Sequence, residues 1–410
     1  MDHGAAPDGL RRGWDHPEIV FPILLVVGAS VVRTALAQLA GGWVSPVPFS
    51  FGWVGYAFST LTAVGRGKLM PQSPDTYLAI NTKTGYARQS SRWILNRILD
   101  DFEYWMPAIV QRRIEDVRQT VWESQCQKAL QKDGPSAALP VKTSRASLCV
   151  SVFEADFKAE AGRSARDLVF YSGILTTAVQ LGIALIPAGL YGHWSILLIT
   201  VVGSLLSYLT GVLPQWRAEK WSRRRHSTKD IVLTKGNGAQ HAIAVIGNGH
   251  GLDLEDLAAP YEPPRTSFDG TSYIVYVFAL LWTALLITTV GIIDHSWFLI
   301  AVGALGTLQN VAAASFRRNP SAYGVHLSFV ECIMHPKVMG TLYLVEEKHP
   351  HMGSSMLSTF FPGSLRPEEE EKWNSFRQSA KARSKNVNLT ANNRSQPGTE
   401  SATSTAAVDV

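Results

Sequence analysis

The sequence predicts an α-helical integral membrane protein, with about six transmembrane helices in three hairpins and a small cytoplasmic α+β part. Three observations predict this fold class. Only 17% of the 410 residues are charged, against about 25% in ordinary soluble domains. The apolar residues are gathered into segments of about 20 residues, which is the length that crosses a bilayer. The basic residues are concentrated in a few of the connections between those segments.

Six apolar segments form the predicted spans. The second of them, 49–65, is shorter than the others and rich in aromatic residues, so it is the weakest of the six. The others have close to the number of apolar residues that a transmembrane helix requires. In chain order the predicted spans are 19–40, 49–65, 168–189, 194–213, 271–293 and 296–315.

The distribution of basic residues predicts the topology. Lysine and arginine are absent from the short connections 41–48, 190–193 and 294–295, and abundant in the two long connections. Basic residues next to spans stay on the cytoplasmic side of a membrane. We therefore expect the short connections to be outer turns, and both termini and both long connections to be cytoplasmic. The expected location is the endoplasmic reticulum membrane.

These spans divide the chain into eight predicted segments. The last of them is rich in serine, threonine and asparagine, a composition typical of disorder. In order they are a cytoplasmic N-terminus (1–18), transmembrane hairpin 1 (19–65), a cytoplasmic α+β segment (66–167), transmembrane hairpin 2 (168–214), a cytoplasmic β-hairpin segment (215–270), transmembrane hairpin 3 (271–315), a cytoplasmic helical segment (316–379) and a disordered tail (380–410).

Three stretches of the long connections predict a small cytoplasmic sheet. Residues 76–88 alternate around an Asn-Thr-Lys-Thr-Gly turn, which indicates a hairpin. Residues 147–157 alternate strictly and indicate a single strand. Residues 230–234 and 241–247 flank Lys-Gly-Asn-Gly-Ala-Gln and indicate a second hairpin. Together they predict a sheet of four or five strands that ties the transmembrane hairpins together.

The glycines of residues 236–251 resemble a phosphate-binding loop, but their spacing differs from that of a dinucleotide-binding fingerprint, G-x-G-x-x-G. His241 occupies the last glycine position of the first possible match, and Leu252 that of the second. The first cluster is better explained as a turn that requires positive φ angles. We therefore expect this stretch to be structural and expect no nucleotide to bind.

Helical periodicity predicts a helix over 91–106, at the membrane surface, that carries a candidate catalytic acid. Phe102 and Trp105 lie on the apolar face of this helix, and Asp101 lies at the edge of that face. Poor solvation favours the protonated form of a carboxyl group, so Asp101 could serve as a proton donor. The alternative interpretation is an i,i+4 ion pair between Arg97 and Asp101.

Glu154 is the second candidate acid. It continues the face of a strand on which Leu148, Val150 and Val152 lie, so it either pairs or functions there, or is the last, solvated residue of the strand. The chain has three cysteines and no C-x-x-C pair, and the stretch "DDFEY" lacks the third acid of a diphosphate-binding D-D-x-x-D. The sequence therefore predicts neither a metal site nor any other cofactor.

Several runs of sequence resemble a family of fungal multi-pass membrane proteins, over nearly the whole chain to about residue 375. This family lies near the membrane-bound terpene cyclases of fungal meroterpenoid pathways, of the ascofuranone and macrophorin type. The runs that carry the resemblance are "FGWVGYAFSTLTAVGRGKLMP", "GYARQSSRWILNRILDDFEYW", "LPQWRAEKW", "LTKGNGAQHAIAVIGNGHGLDLEDLA" and "STFFPGSLRPEEEEKW".

The resemblance implies an integral membrane terpene cyclase. Such an enzyme closes rings on a farnesyl chain attached to an aromatic or epoxycyclohexenone head group, by acid-initiated cyclisation without a metal. It brings no catalytic motif with it, so the site residues follow from physical chemistry alone. Asp101 and Glu154 are the candidate catalytic acids, and Trp93, Phe102 and Trp105 are expected to bind the substrate.

Two other classes of function stay open from the sequence. The chain could be a non-enzymatic membrane scaffold or regulatory protein, which would need no cavity of prenyl size. It could also be a transporter, which would need a polar path through the spans. In each class the expected partners are the lipid bilayer and, for the enzyme, a prenylated small molecule. Neither nucleic acid nor nucleotide is expected.

Overall fold

A computed structural model describes most of the chain. The described residues are 21–64, 68–134, 140–142, 145–221, 223–260, 268–292 and 294–379. The predicted N-terminal segment, 1–18, and the predicted disordered tail, 380–410, lie outside them.

The described part of the chain forms helices and strands in short groups. The helices are α1 (Phe21–Leu39), α2 (Gly52–Val64), α3 (Trp93–Asp100), α4 (Phe102–Trp105), α5 (Ala108–Asp133), α6 (Leu168–Tyr191), α7 (Ser195–Val212), α8 (Pro214–Trp221), α9 (Leu254–Ala258), α10 (Phe268–Val290), α11 (Ser296–Ser315), α12 (Val338–Lys348), α13 (Met352–Phe360) and α14 (367–379). The strands are β1 (Gln72–Asn81), β2 (Ala87–Arg92), β3 (Cys149–Ala155), β4 (Ile231–Thr234), β5 (His241–Ile246) and β6 (Leu327–Met334). A 3₁₀ turn covers Pro320–Tyr323.

Four helices of the described part of the chain are long and apolar enough to cross a membrane. Large apolar side chains on these helices point outward: Leu168 is 87% exposed and Leu280 is 71% exposed. Soluble proteins rarely expose extensive apolar patches, so these surfaces are typical of helices that face lipid. The four are Leu168–Tyr191, Ser195–Trp221 (α7 continued by α8), Gly270–Val290 and Ser296–Ser315.

The described strands form one mixed sheet in the order β2-β1-β4-β5-β3-β6. Strands β3 and β5 pair in parallel, and the other neighbours pair antiparallel. The β4–β5 hairpin confirms the interpretation of the glycine-rich turn between these strands. The β1–β2 hairpin also forms as predicted.

Helices cover both faces of this sheet. On one face, Tyr77, Phe153 and Ile243 join a core that continues into the long apolar helices. On the other face, Val150 and Val232 pack against α12, α13 and α14. The sheet is therefore the middle layer of the protein, between the apolar helices and the C-terminal helices.

The predicted fold class, a helical membrane protein with a small α+β part, is wrong. The sheet is substantial and has six described strands, and only four described helices, not six, satisfy the length and hydropathy of a span. Strand β6 lies in the segment 316–379, which was predicted to be helical. Opposite Val152 and Phe153 of β3, the pairing of β6 passes from Glu331 to Phe329, so Val330 is an extra residue. Such a bulge interrupts the alternation by which a strand is recognised.

The first predicted hairpin also differs from the structure. Its connection, 41–48, was expected on the outer side, but α1 ends close to the sheet. Arg318 Nη1 donates to the carbonyl oxygen of Gln38 at 2.8 Å, and Lys220 Nζ donates to that of Ala40 at 2.5 Å. Arg318 and Lys220 lie at the ends of the long apolar helices that are next to the sheet. The connection therefore begins on the side of the sheet.

An extended segment, residues 45–51, then runs back among the apolar helices. All of its residues are buried, and α2 follows it. The helices around it carry glycines at the points of closest approach: a Cβ on Gly203 would overlap the Phe49 ring, and one on Gly306 would overlap the Phe49 carbonyl oxygen. With 13 residues, α2 is too short to span a bilayer. Residues 45–64 therefore enter the helix bundle and return to the sheet side.

Side-chain amides support this extended backbone. Gln180 Nε2 donates to the Phe49 carbonyl oxygen at 2.7 Å, and Asn310 Nδ2 donates to that of Pro48 at 3.2 Å. Irregular backbone at membrane depth requires such partners, because lipid offers none. These polar residues of the apolar helices thus hold a buried loop in place.

Candidate functional site

Asp101 lies at a break in the helix that was predicted over 91–106. Helix α3 ends at Asp100 and α4 begins at Phe102, because Asp101 has φ −84° and ψ 1°. Its side chain is buried, with the residue 2% exposed. At this break the side chain of Asp101 lies in the protein interior.

One oxygen of Asp101, Oδ2, lies against groups from three described residues, namely one ion-pair partner and two hydrogen-bond donors. Arg97 Nε lies 3.0 Å away as an ion pair, the backbone N–H of Arg318 donates at 3.2 Å, and the Tyr323 hydroxyl donates at 3.4 Å. The Arg97–Asp101 pair, the alternative interpretation of this helix, is therefore present. One ion pair and two hydrogen bonds thus hold the carboxyl group of Asp101 at a junction between elements.

The junction extends through the two arginines. Arg318 binds both carboxylate oxygens of Asp167, with Nε–Oδ2 at 2.6 Å and Nη2–Oδ1 at 2.9 Å. Arg97 Nη2 donates to the Phe316 carbonyl oxygen at 3.0 Å. Asp167 caps the start of α6, and Phe316 follows α11. The cluster thus joins the sheet-side ends of two apolar helices to α3.

Burial raises the pKa of two residues in this cluster, Asp101 and Tyr323. Loss of water raises the pKa of Asp101 above its usual value, and the positive charge of Arg97 opposes this effect without cancelling it. Burial, followed by the charge of Asp101, also raises the pKa of Tyr323. Asp101 therefore retains a proton to a higher pH than a solvated aspartate does.

The aromatic residues beside Asp101 form part of the core. The Phe102 and Trp105 rings lie 4.8 Å apart, and Trp105 lies 5.3 Å from Phe153 of β3. Phe153 in turn contacts Phe329 of β6 at 5.6 Å. Phe102 and Trp105, which were predicted to bind substrate, therefore pack against the sheet.

Glu154 lies on the other face of the sheet from this cluster. Side chains alternate along β3, so Glu154 shares the face of Val150 and Val152, which α12 and α13 cover. Phe153, on the opposite face, is the residue that contacts Phe102. The structure therefore separates the two predicted acids, Asp101 and Glu154.

A groove of about 420 Å³ opens at the edge of the sheet beside strand β2. Neither Asp101 nor Glu154 is among its lining residues, whereas Trp93, a predicted substrate-binding residue, is one of them. The groove has both apolar and charged walls. Its apolar lining residues include Met70, Trp93, Ile94 and Leu257, and its charged lining residues include Arg92 and Glu219.

Glu219 is the residue of this groove that sequence reasoning missed. Its Oε1 accepts from the backbone N–H of Leu69 at 2.7 Å and its Oε2 from that of Met70 at 2.8 Å. Gln215 Nε2 donates to Oε1 at 2.8 Å. Residues 214–221, "PQWRAEKW", place an acid between two tryptophans directly after an apolar helix, and that pattern was the available signal.

Trp93 connects the groove to the Asp101 cluster. Its ring meets the Tyr323 ring edge-on at 5.8 Å, and the Tyr323 hydroxyl reaches Asp101. Asp101 thus lies behind the wall that Trp93 forms, with Tyr323 between them. A molecule in the groove would contact Trp93 directly and Asp101 only through this pair of rings.

Comparison of the chain with protein-family models, with curated proteins and with solved structures finds no match. Within the described residues, no group of three or more histidine, cysteine, aspartate or glutamate side chains could hold a metal ion. The lining of the groove includes two arginines, Arg88 and Arg92, whose guanidinium groups can bind a polar head group. It also includes Glu219, whose carboxylate is buried and is held by the backbone N–H groups of Leu69 and Met70.

The glycine-rich stretch acts as a turn and as a support for the groove. Gly236 and Gly238 have φ angles of 96° and 83°, as a tight turn between β4 and β5 requires. Downstream, the first N–H groups of α9 donate to Asp253, whose Oδ1 lies 3.0 Å from the nitrogen of Glu255. The side chain of Asp253 therefore occupies the helix N-terminus at which a phosphate would bind. Leu257 of α9 forms a wall of the groove.

Proposed function

We propose that this protein is a membrane-bound enzyme that closes rings on a prenylated small molecule held in the groove. The observation that carries the proposal is the groove itself. It has apolar walls at Met70, Trp93 and Leu257, and polar groups at Arg92 and Glu219. A farnesyl chain with a polar head group likewise has a long apolar part and a polar end. The volume of about 420 Å³ also lies within the range of small-molecule sites, roughly 300–1,000 Å³.

The proposed location is the endoplasmic reticulum membrane, with the sheet in the cytoplasm. Arg166 precedes α6, Arg217 lies in α8 and Arg317 follows α11, so basic residues flank the sheet-side ends of the apolar helices. Such residues remain cytoplasmic. Glu219 lies in the apolar helix Ser195–Trp221, so the groove begins where this helix leaves the membrane. A prenyl chain dissolved in the bilayer could enter there.

In this proposal the reaction begins with an acid. A proton adds to an alkene or epoxide of the substrate, the resulting cation closes the ring, and loss of a proton ends the reaction. Asp101 is the proposed store of the first proton, a role that its raised pKa supports. The Tyr323 hydroxyl would relay the proton after the Trp93 ring turns aside. The faces of Trp93 and the carboxylate of Glu219 would stabilise the cation.

Farnesylated phenols and their epoxides, supplied to microsomes that contain the protein, test the proposal directly. We expect cyclised isomers of the substrate, and we expect a photoreactive farnesyl phenol to label the groove. Ser91→Trp fills the groove and should abolish both signals. Thr120→Trp, on the exposed surface of helix α5 and outside the groove, is the control and should preserve both.

A membrane scaffold without catalytic activity is the second candidate. One observation favours it: Asp101 engages Arg97, Arg318 and Tyr323, as a purely structural carboxylate would. A scaffold predicts neither cyclised products nor labelling that Ser91→Trp prevents. Labelling of the groove without products would indicate a lipid-binding scaffold, and would contradict the enzyme.

A further inference from the structure

Two cysteines face each other across neighbouring strands. Cys149 Sγ of β3 and Cys332 Sγ of β6 lie 3.4 Å apart. In the register of these strands Cys149 pairs with Met334 and Cys332 with Ser151, so the cysteines are diagonal neighbours on one face. Helix α5 covers this face. Cys149 belongs to an apolar cluster that includes Val110 and Val117 of this helix, and Cys332 packs against that cluster.

We propose that Cys149 and Cys332 form a redox-modification site, at which glutathione disulfide reversibly joins the two strands through a protein disulfide. The proposal depends on the position of the two sulfur atoms and on the edge position of β6, and it does not depend on the proposed enzymatic function. The third cysteine, Cys126, lies in α5 and provides an internal reference.

Cys332 is the thiol that reacts first. Its side chain is partly exposed, because β6 is the edge strand of the sheet, whereas Cys149 is buried. A hydrogen bond from Cys149 and the nearby charge of Arg113 lower the pKa of Cys332. The same hydrogen bond and burial raise the pKa of Cys149. The thiolate, which is the nucleophile in disulfide exchange, therefore forms at the accessible sulfur.

The reaction proceeds in two exchanges. The Cys332 thiolate attacks one sulfur of glutathione disulfide, forms a mixed disulfide and releases one glutathione thiolate. Cys149 then passes its proton to that thiolate and attacks Cys332 Sγ, which breaks the mixed disulfide and releases the second glutathione. Two protein thiols are oxidised to a disulfide, and one glutathione disulfide is reduced to two thiols.

The geometry makes this disulfide reversible. The sulfur atoms must approach from 3.4 Å to about 2.05 Å. Diagonal neighbours on antiparallel strands lie about 7–8 Å apart, beyond the roughly 4.4–6.8 Å between Cα atoms that a disulfide usually joins, so β6 must shift along β3. The edge position of β6 and its bulge at Val330 allow that movement. A strained disulfide of this kind is easily reduced.

Thiol trapping in the full-length protein tests the proposal. Membranes that contain the protein are equilibrated with mixtures of reduced glutathione and glutathione disulfide, free thiols are blocked, and the peptides are analysed by mass spectrometry. We expect a linked Cys149–Cys332 peptide whose amount rises with the share of glutathione disulfide and which dithiothreitol removes. Cys126→Ser should leave this peptide unchanged.

Single substitutions separate the role of Cys332, which attacks glutathione disulfide, from that of Cys149, which attacks the mixed disulfide. Cys149→Ser should leave Cys332 as a stable mixed disulfide with glutathione. Cys332→Ser should leave Cys149 reduced under the same conditions, because that sulfur is buried. The proposal is overturned if Cys149 and Cys332 are both still free at the most oxidising mixture. It is also overturned if Cys126 takes part in the disulfide that forms.

Discussion

Gln180 holds Phe49 in the interior of the apolar helices: Gln180 Nε2 donates to the Phe49 carbonyl oxygen at 2.7 Å and to that of Val302 at 2.8 Å. One side-chain amide thus joins α6, α11 and the extended segment 45–51. Gln180 itself is fully buried. The depth at which the chain re-enters the helix bundle depends on this contact.

Loss of the Gln180 amide should destabilise the protein. In Gln180→Leu the carbonyl oxygen of Phe49 loses a donor in a place without water, which costs about 1–3 kcal/mol. Thermal unfolding in detergent, followed by the protein's intrinsic fluorescence, measures the loss. Gln309→Leu removes an amide of α11 that donates only to a partly exposed hydroxyl, Ser172 Oγ, at 2.7 Å, and it should cost much less. Equal losses would contradict the role assigned to Gln180.

A methyl group at Gly306 should have a larger effect than one at Gly182. A Cβ at Gly306 would overlap the Phe49 carbonyl oxygen, whereas a Cβ at Gly182 meets nothing within 4 Å. Overpacking of this kind typically costs about 1–3 kcal/mol. We therefore expect Gly306→Ala to lower the melting temperature and the yield of folded protein, and Gly182→Ala to leave both close to the wild-type values. Similar behaviour of the two variants would place the extended segment elsewhere.

The connection after α1 should lie on the same side of the membrane as the sheet. To test this, the three native cysteines are first replaced by serine. A single cysteine is then introduced at Trp43 in this connection, at Tyr86 in the β1–β2 turn or at His193 after α6. An impermeant maleimide added to sealed microsomes should label Trp43→Cys and Tyr86→Cys together. His193→Cys should react only after permeabilisation. Labelling of Trp43→Cys together with His193→Cys would instead support the hairpin that the sequence predicts.

The pH dependence of stability should reveal whether burial or the charge of Arg97 has the larger effect on the pKa of Asp101. Burial raises the pKa of this carboxyl in the folded protein, so the folded state keeps the proton over a pH range in which the unfolded chain loses it. Relative to Asp101→Asn, the wild type is therefore most stable below the unfolded pKa of about 3.9. Its relative stability falls as the pH rises to the folded pKa. Melting temperatures between pH 3.5 and pH 8 measure the difference, at roughly half-unit steps.

The opposite slope would show that the ion pair with Arg97 outweighs the loss of water. Asp75→Asn, at an exposed position of β1, controls for the removal of a charge without burial. That variant should follow the wild type across the same range.

If Asp101 supplies the proton, Asp101→Asn should lower the rate of cyclisation by about 10²–10⁴-fold. Asp100→Asn is the matched control. Asp100 binds Lys235 at 2.5 Å and Asn96 at 3.1 Å, so its replacement affects the contact with the glycine turn and leaves the rate nearly intact. Full activity of Asp101→Asn would assign the proton to another group, and Glu219→Gln would then be the informative variant.

Local features of the sequence were sufficient for the long apolar helices and for two hairpins. A span requires a run of apolar residues, and a tight turn requires glycines with positive φ, so both signals lie within one stretch of chain. The helices Leu168–Tyr191 and Ser296–Ser315, and the β4–β5 hairpin, were predicted on this basis. Asp101 was also recognised as an acid at the edge of an apolar face.

Tertiary structure alone decided what surrounds these elements. Gln180 and Phe49 are 131 residues apart in the chain, so no local pattern shows that residues 45–51 turn back into the bundle. The same is true of Glu219, which meets Leu69 across 150 residues, and of β6, whose bulge obscures its alternation. Contacts of this kind depend on which surfaces bury one another, and burial is a property of the assembled layers. The sequence therefore determined which segments are apolar, and the fold determined that they surround a buried loop and that the groove and the carboxylate of Asp101 lie where these helices meet the sheet.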